Sequence, residues 1–275
     1  MYMALQFIYG TAVSQKSESI YRQMIHQSEL HPDQNFLVLV PEQATLQVQK
    51  ELLVLHPRHV LTNVDVLSFR RLAYELAMKE QNILDDTGKI MILRNVAAGK
   101  QDQLTAFAGN WNKIGFIQQL KSMVSEFYQY RMEDAQLDQL VSKLDRAPLL
   151  KAKLENMRVV YRAFQEALSE DYITAEELLG VLCRVADASG YIKKSTIVLD
   201  GFTGFTPVQY QLLQVLMACA RHIACTVTVG REVYPPGTGK KGAADWGISS
   251  QECGLFHMSY QMTEKLRLLA EEAGC

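Results

Sequence analysis

Residues 7–25 read FIYGTAVSQKSESIYRQMI, and this stretch decides how the chain begins to fold. An apolar run ends at Gly10, and Lys16 and Ser17 open a segment in which apolar residues recur at helical spacing. A strand, a loop and a helix with Gly, Lys and Ser at these offsets are typical of the phosphate-binding loop G-x-x-x-x-G-K-[ST]. The stretch therefore predicts an α/β fold that begins with a loop of this type.

Two positions of the loop depart from the pattern. Gln15 stands where the second glycine belongs, and Val13 is a stiff, β-branched residue. We expect the bulk at these positions to leave no room for a triphosphate, so that ATP with Mg²⁺ is a doubtful cofactor. Three interpretations stay open: a loop that has lost its nucleotide, an active nucleotide loop, and an ordinary turn that exposes Lys16 and Ser17. The candidate nucleotide-binding residues are Gly10, Ser14, Lys16, Ser17 and Asp200.

Asp200 is a candidate because it follows the buried-type strand Ser195–Leu199. NTPases hold Mg²⁺ through a carboxylate at such a strand end, with a second carboxylate to position the attacking water. The next residue here is Gly201, so the partner for hydrolysis is absent. The alternative is that Asp200 only caps a turn.

Strands alternate with helices at both ends of the sequence. This pattern predicts a parallel sheet that is covered on both faces. The predicted strands are 4–9, 35–40, 63–67, Ser195–Leu199 and 222–229, and the helices are 17–29, 44–55, 68–79 and 208–220. Thr206, Pro207 and Gln209 form a strong helix start, with a cap, a proline at the first position and a capping-box glutamine.

From residue 86 to 186 the sequence has helical periodicity and no convincing strand. We therefore predict a parallel-sheet domain, 1–84 with 190–275, that is interrupted by an all-helical insertion, 85–189. Residues 230–249 are rich in Gly and Pro, which predicts an exposed, mobile loop.

Two loops at the predicted carboxyl ends of strands are candidates for contact with single-stranded DNA. The candidate residues are Gln43 and Thr45 in the first loop, and Ser68, Phe69, Arg70 and Arg71 in the second. Polar groups and arginines hydrogen-bond phosphates, and an aromatic ring stacks on a base. The alternative is that Ser68 caps a helix, Phe69 is core and the arginines are a solvated face.

The bulk composition excludes some classes of protein. The chain has 275 residues and a formal net charge of −2, so its overall charge does not indicate nucleic-acid binding. The sequence has no run that is long and apolar enough to span a membrane, and no signal peptide. Five cysteines without a CxxC pair predict reduced thiols in a cytoplasmic protein, with no metal site. The last sixteen residues read as an amphipathic helix, which suggests a fragment of a longer polypeptide.

The segments VPEQAT, VLSFRRLAY and DGFTGFTP, together with the opening loop, resemble the N-terminal part of AddB, a component of the bacterial AddAB helicase–deoxyribonucleases. The resemblance implies a RecA-like domain, of the kind found in P-loop NTPases and superfamily 1 helicases, split by a helical insertion. The loop of that family reads G-x-A-G-S-G-K-[ST]. This chain keeps Gly10, Ala12, Ser14, Lys16 and Ser17 but has Val13 and Gln15 for the inner glycines.

The resemblance also implies partners and activities. In that family the motor belongs mainly to the AddA partner, and AddB helps to recognise a hotspot in single-stranded DNA. The nuclease and iron–sulfur cluster of AddB lie in a C-terminal part that this chain does not contain, so we expect no nuclease activity here. We expect a non-catalytic, helicase-like DNA-binding and scaffolding module of a repair helicase–exonuclease. The alternatives are an active ATP-binding NTPase or helicase domain, and a protein-interaction module that docks the motor subunit.

Overall fold

The computed structural model describes residues 5–77, 82–110, 113–168, 172–230 and 254–274. The chain separates into two compact units. The first unit is Met1–Leu76 with Val181–Cys275, and the second is Ala77–Gly180. The domain boundaries at 85 and 189 stay a prediction.

The helices and strands alternate along the first unit and again near its end. In chain order the elements are β1 (Leu5–Gly10), α1 (Lys16–Leu30), β2 (Asn35–Leu39), α2 (Thr45–Leu55), β3 (Val64–Leu67), α3 (Phe69–Ala77), β4 (Asn82–Leu84), α4 (Asp86–Gly99), α5 (Ile114–Gln129), α6 (Asp134–Ser142), α7 (Pro148–Ala167), β5 (Tyr172–Thr174), α8 (Ala175–Val185), α9 (Gly190–Lys193), β6 (Ser195–Leu199), α10 (Pro207–Cys219), β7 (His222–Thr228) and α11 (His257–Glu272).

The first unit contains a five-stranded sheet with the strand order β1-β7-β6-β2-β3. Every described pairing in this sheet is parallel, which confirms the predicted α/β class and the parallel sheet. β2 and β6 read as continuous apolar runs because their side chains are buried on both faces. The apolar face of α1, including Met24 and Ile25, packs into one core cluster with Phe36 and Val38 of β2.

The start of α10 agrees with the sequence in detail. The Thr206 hydroxyl accepts a hydrogen bond from the Gln209 amide, and the Gln209 side chain accepts one from the Thr206 amide. Pro207 occupies the first helical position, where no backbone N–H is needed. The predicted capping box is therefore confirmed.

The second unit is mainly helical and has its own apolar core, built largely from α4, α5 and α7. It also contains a two-stranded parallel sheet, in which β4 pairs with β5. The prediction that residues 86–186 contain no strand is wrong, because β5 lies inside that range. A strand of three residues is too short to show alternation in the sequence, and tertiary pairing determines it instead.

No helix in the described ranges is both long and apolar enough to pass through a bilayer. Of the loop predicted at 230–249, residues 231–249 lie outside the described part of the chain.

Candidate functional site

The carboxyl ends of β1, β6, β2 and β3 lie at the same edge of the parallel sheet. The phosphate-type loop follows β1, and Asp200 follows β6. The two predicted DNA loops follow the neighbouring strands β2 and β3. The sheet thus brings the loops that carry the candidate residues to one edge, which we call the carboxyl edge.

The loop after β1 leads directly into α1 through one residue with a left-handed backbone. α1 begins at Lys16, and Gln15 adopts the left-handed conformation with φ 56° and ψ 25°. A non-glycine residue in this region costs about 1–2 kcal/mol. A Cβ at position 10 would lie 2.1 Å from the Ser14 hydroxyl, so any other residue there would require the Ser14 side chain to move. That hydroxyl donates to the Thr11 carbonyl at 2.9 Å and so closes the loop on itself.

The two atypical side chains do not fill the interior of this loop. Val13 is 78% exposed, and Gln15 is exposed as well. That these two side chains leave no room for a triphosphate stays a prediction. Gln15 does raise the free energy of the folded chain through its left-handed backbone conformation, which glycine would adopt without strain.

Lys16 is turned onto its own loop. Its Nζ donates to the Thr11 carbonyl at 3.1 Å. Burial lowers the pKa of Lys16, and the nearby Asp200 carboxylate opposes that shift. The ammonium group is thus half-buried and already holds a backbone oxygen of the loop.

Asp200 is buried and accepts three hydroxyl hydrogen bonds. Ser17 donates to Oδ1 at 2.8 Å, Tyr21 donates to Oδ2, and Thr226 of β7 also donates to Oδ1. Burial raises the pKa of Tyr21, and the negative charge of Asp200 raises it further. We call these four residues the Asp200 cluster. They join α1, β7 and the end of β6 around one carboxylate.

Sequence reasoning found Ser17 and Asp200 but missed the other two donors. Tyr21 reads as a core residue of α1, and its ring is indeed buried. It lies four residues after Ser17, so both side chains share one helix face, and this spacing is a signal in the sequence. Thr226 is a polar residue inside the buried strand β7, which is a second signal.

The residue after Asp200 adopts a conformation suited to glycine. Gly201 has φ +77°, and a Cβ there would lie 3.6 Å from the Pro41 side chain. A glutamate or aspartate would be strained at this position. The local backbone therefore opposes a catalytic carboxylate beside Asp200.

The two predicted DNA loops contact each other. Arg70 forms an ion pair with Glu42 at 2.6 Å, which connects the loop after β3 to the loop after β2. Arg71 is mostly exposed and lies 3.8 Å from Glu75, while Gln43 is exposed. Arg70, Arg71 and Gln43 are therefore exposed to solvent at the carboxyl edge.

The remaining candidates have structural contacts. The buried Ser68 hydroxyl accepts from the Arg71 amide at 3.2 Å, so it caps α3. The Thr45 hydroxyl donates to the Glu42 carbonyl at 3.0 Å. Phe69 is 3% exposed and packs against Phe202 and Phe205, with ring centroids 5.5 and 5.8 Å away. The expectation that Phe69 stacks on a base is not supported by this conformation, because its ring belongs to the core.

Comparison with known proteins places the chain in a family. A family model described as "ADDB, N-terminal" matches residues 7–275. Three similar proteins are each named as the B subunit of an ATP-dependent helicase/deoxyribonuclease. The protein of Lachnoclostridium phytofermentans is 39% identical over 272 residues, covering 98% of this chain and 23% of its own length. Those of Clostridium novyi and Bacillus cereus (strain AH187) are 29% and 27% identical, covering 85% and 98% of this chain and 22% and 23% of their own lengths.

The chain thus spans about a quarter of the length of the curated relatives that it matches. The match runs from the opening loop to the last residue of the chain. It therefore includes the carboxyl edge, the Asp200 cluster and the helical unit. The chain belongs to the AddB N-terminal family.

Proposed function

We propose that this chain is a helicase-like, non-catalytic module that binds single-stranded DNA and supports the assembly of a DNA repair helicase–nuclease. In this proposal the first unit is a RecA-like domain of the superfamily 1 type, and the mainly helical second unit is an insertion into it. The parallel sheet, the loop after β1 and the family membership support the proposal.

The observation that supports the non-catalytic part is that the side chains of Lys16, Ser17 and Asp200 are already hydrogen-bonded within the protein. ATP with Mg²⁺ would need Lys16, Ser17 and Asp200, and these residue types are suited to it. Here Lys16 holds the Thr11 carbonyl, and Asp200 accepts from three hydroxyls. The position next to Asp200 is a glycine with positive φ. The residues present therefore do not fit ATP hydrolysis.

Two observations favour the alternative, an active nucleotide site. Gln15 adopts a left-handed backbone conformation that favours glycine, which is the residue expected at this position of a nucleotide loop. Ser17 also lies beside Asp200, where a Mg²⁺-binding pair would lie. Saturable binding of ATP with Mg²⁺ separates the two functions.

The DNA-binding part of the proposal depends on the side chains that point away from the core at the carboxyl edge. Arg71 is exposed at the start of α3, and the ion pair of Arg70 with Glu42 holds the two loops together. Because α2 returns the chain from the carboxyl ends to the amino ends of the strands, Arg58 lies at the opposite end of the sheet. Arg58 is therefore a matched control for a cation at the carboxyl edge.

The test is fluorescence anisotropy of a labelled single-stranded oligonucleotide. We expect the association constant to fall as the salt concentration rises. A plot of its logarithm against the logarithm of the salt concentration should have a slope of about −0.7 for each phosphate neutralised. Arg71→Ala should weaken binding and reduce that slope, while Arg58→Ala should change neither. Equal effects of the two variants, or no binding at low salt, would contradict a DNA site at this edge.

The proposed partner is a second, motor-bearing subunit. The relatives are named as B subunits, which indicates that they belong to a complex of more than one subunit. The chain covers only about a quarter of their length, so we propose that it supplies only part of what a complete B subunit does in the complex. If the chain bound the partner but no DNA, it would instead be a pure protein-interaction module.

A further inference from the structure

A groove lies between α1 and α2 of the first unit, and we call it the α1–α2 groove. Its volume is about 570 Å³. Helix α1 contributes Glu18 and Tyr21 to the lining. The other lining residues lie on α2 or just before it, and they are Gln43, Leu46, Gln47, Lys50, Glu51, Val54 and Leu55.

The lining residues of α2 form one side of the helix. Positions 46, 47, 50, 51, 54 and 55 recur by steps of one and three, which is the spacing of a single helix face. Val48 and Leu52 lie on another side of α2 and belong to the main core cluster, where they are 7% and 0% exposed. Helix α2 therefore has two sides with apolar residues, one in the core and one in the groove.

The groove side of α2 exposes large apolar side chains. Leu46 is 62% exposed and Val54 is 72% exposed. The two residues are eight positions apart, so they lie about two turns apart along the helix. An exposed apolar surface that follows one helix face beside a second helix is the kind of groove that binds an amphipathic helix.

The charged residues of the groove limit the chemistry of its occupant. The Glu18 carboxylate accepts from Arg22 at 2.7 Å, and the Glu51 carboxylate accepts from the Gln47 amide at 2.9 Å. Lys50 is exposed and lies on the groove side of α2 between Leu46 and Val54. A carboxylate on the occupant, opposite Lys50, would complement this cation, while the two glutamates keep their internal partners.

The position of Lys50 disfavours a second copy of this chain as the occupant. Lys50 lies four residues after Leu46 and four before Val54, which is the midpoint of the exposed apolar pair. Two copies of α2 that met antiparallel, with Leu46 on Val54, would place the two Lys50 side chains together, and like charges in contact repel. The groove is therefore suited to a different polypeptide.

We propose that the α1–α2 groove binds an amphipathic helix of the motor-bearing subunit, with its apolar side on Leu46 and Val54 and an aspartate or glutamate opposite Lys50. This inference rests on the proposed function, which names such a subunit as the partner and leaves its contact surface open. From Leu46 to Leu55 the groove side of α2 is about 14 Å long, so a partner helix of about three turns would cover it.

The test is biolayer interferometry of the whole chain with the purified motor-bearing subunit of the same organism. Leu46→Asp should weaken binding at least about tenfold, because it places a charge in the apolar contact. Lys50→Glu should weaken binding at least about threefold, because it brings a negative charge against the partner's carboxylate.

Helix α7 of the second unit provides matched controls. Leu149 is the second residue of α7, as Leu46 is of α2, and it is 68% exposed. Lys153 is the sixth residue of α7, as Lys50 is of α2, and both lysines are exposed. Leu149→Asp and Lys153→Glu should leave the affinity for the motor-bearing subunit unchanged. The urea midpoint of all four variants should match that of the unsubstituted chain, because exposed positions contribute little to stability.

Three results would overturn the proposal. Equal affinities of the two groove variants and their α7 controls would place the contact elsewhere on the chain and leave the proposed function intact. A lack of binding between the unsubstituted chain and the motor-bearing subunit would contradict the assembly part of the proposed function as well. A dimer of the chain alone that Leu46→Asp dissociates, measured by analytical ultracentrifugation, would make a second copy the occupant.

Discussion

The two ends of the five-stranded sheet differ in how their polar side chains are satisfied. At the carboxyl edge, Asp200 accepts from three hydroxyls, Lys16 holds a loop carbonyl and Arg70 is paired with Glu42. At the opposite end, the described residues that line a cavity include Arg221 and His222 and no carboxylate. The comparison shows that residues which resemble a ligand-binding site in the sequence can already be hydrogen-bonded to one another in the folded chain. Arg221, at the opposite end, carries no such signal in the sequence and lies among described lining residues that include no carboxylate.

The largest expected effect concerns the packing beneath the carboxyl edge. Phe69→Ala removes a ring that packs against Phe202 and Phe205, and we expect it to lower the free energy of unfolding by about 3–5 kcal/mol. Tyr130 is a mostly exposed aromatic in the other unit, so Tyr130→Ala should cost less than about 0.5 kcal/mol. Urea denaturation measures both. A small loss for Phe69→Ala would make Phe69 a candidate for stacking on DNA again.

The next effect tests whether Asp200 is a structural acceptor. Asp200→Ala leaves the Ser17, Tyr21 and Thr226 hydroxyls without their acceptor, and we expect a loss of about 2–4 kcal/mol. Asp65 is the matched control, because it accepts from a tyrosine too, at 2.6 Å from Tyr191, but in an exposed position. Asp65→Ala should cost about 1 kcal/mol or less.

Urea denaturation at pH 7 compares the two aspartate variants. If Asp200→Ala were as stable as the unsubstituted chain or more stable, Asp200 would be a strained carboxylate kept for function. That result would favour the nucleotide-binding alternative and remove the contrast between the two ends of the sheet.

A smaller effect of opposite sign is expected at Gln15. Gln15→Gly relieves a left-handed residue and should stabilise the chain by about 0.5–1 kcal/mol, since the greater freedom of the unfolded glycine offsets part of the gain. Gln15→Ala keeps the strain and is the control. Thermal unfolding midpoints measure the difference. An unchanged midpoint for Gln15→Gly would show that the loop does not hold this residue under strain.

Most of the sheet could be predicted from the sequence, because buried parallel strands are continuous apolar runs. The predicted strand Ser195–Leu199 has the observed bounds, and the capping box of Thr206 with Gln209 is present. The pairing of β4 with β5 was missed, because two strands of three residues show no periodicity. Hydrophobic periodicity predicts a helix or strand reliably only where the element is long enough for the pattern to repeat.

The site could be predicted only in outline. Gly10, Lys16, Ser17 and Asp200 carry a recognisable spacing, which places them at one edge of a parallel sheet. What they bind there depends on Tyr21, Thr226 and the Thr11 carbonyl, which are brought together by tertiary structure.

The most direct test of the central claim is an equilibrium titration of the chain with labelled ATP and Mg²⁺, with Lys16→Ala measured in parallel. The account predicts no saturable binding at micromolar concentrations and no difference between the two proteins, because Lys16 and Asp200 are already bound within the molecule. Micromolar affinity that Lys16→Ala abolishes would contradict it and would make the chain an active nucleotide-binding domain.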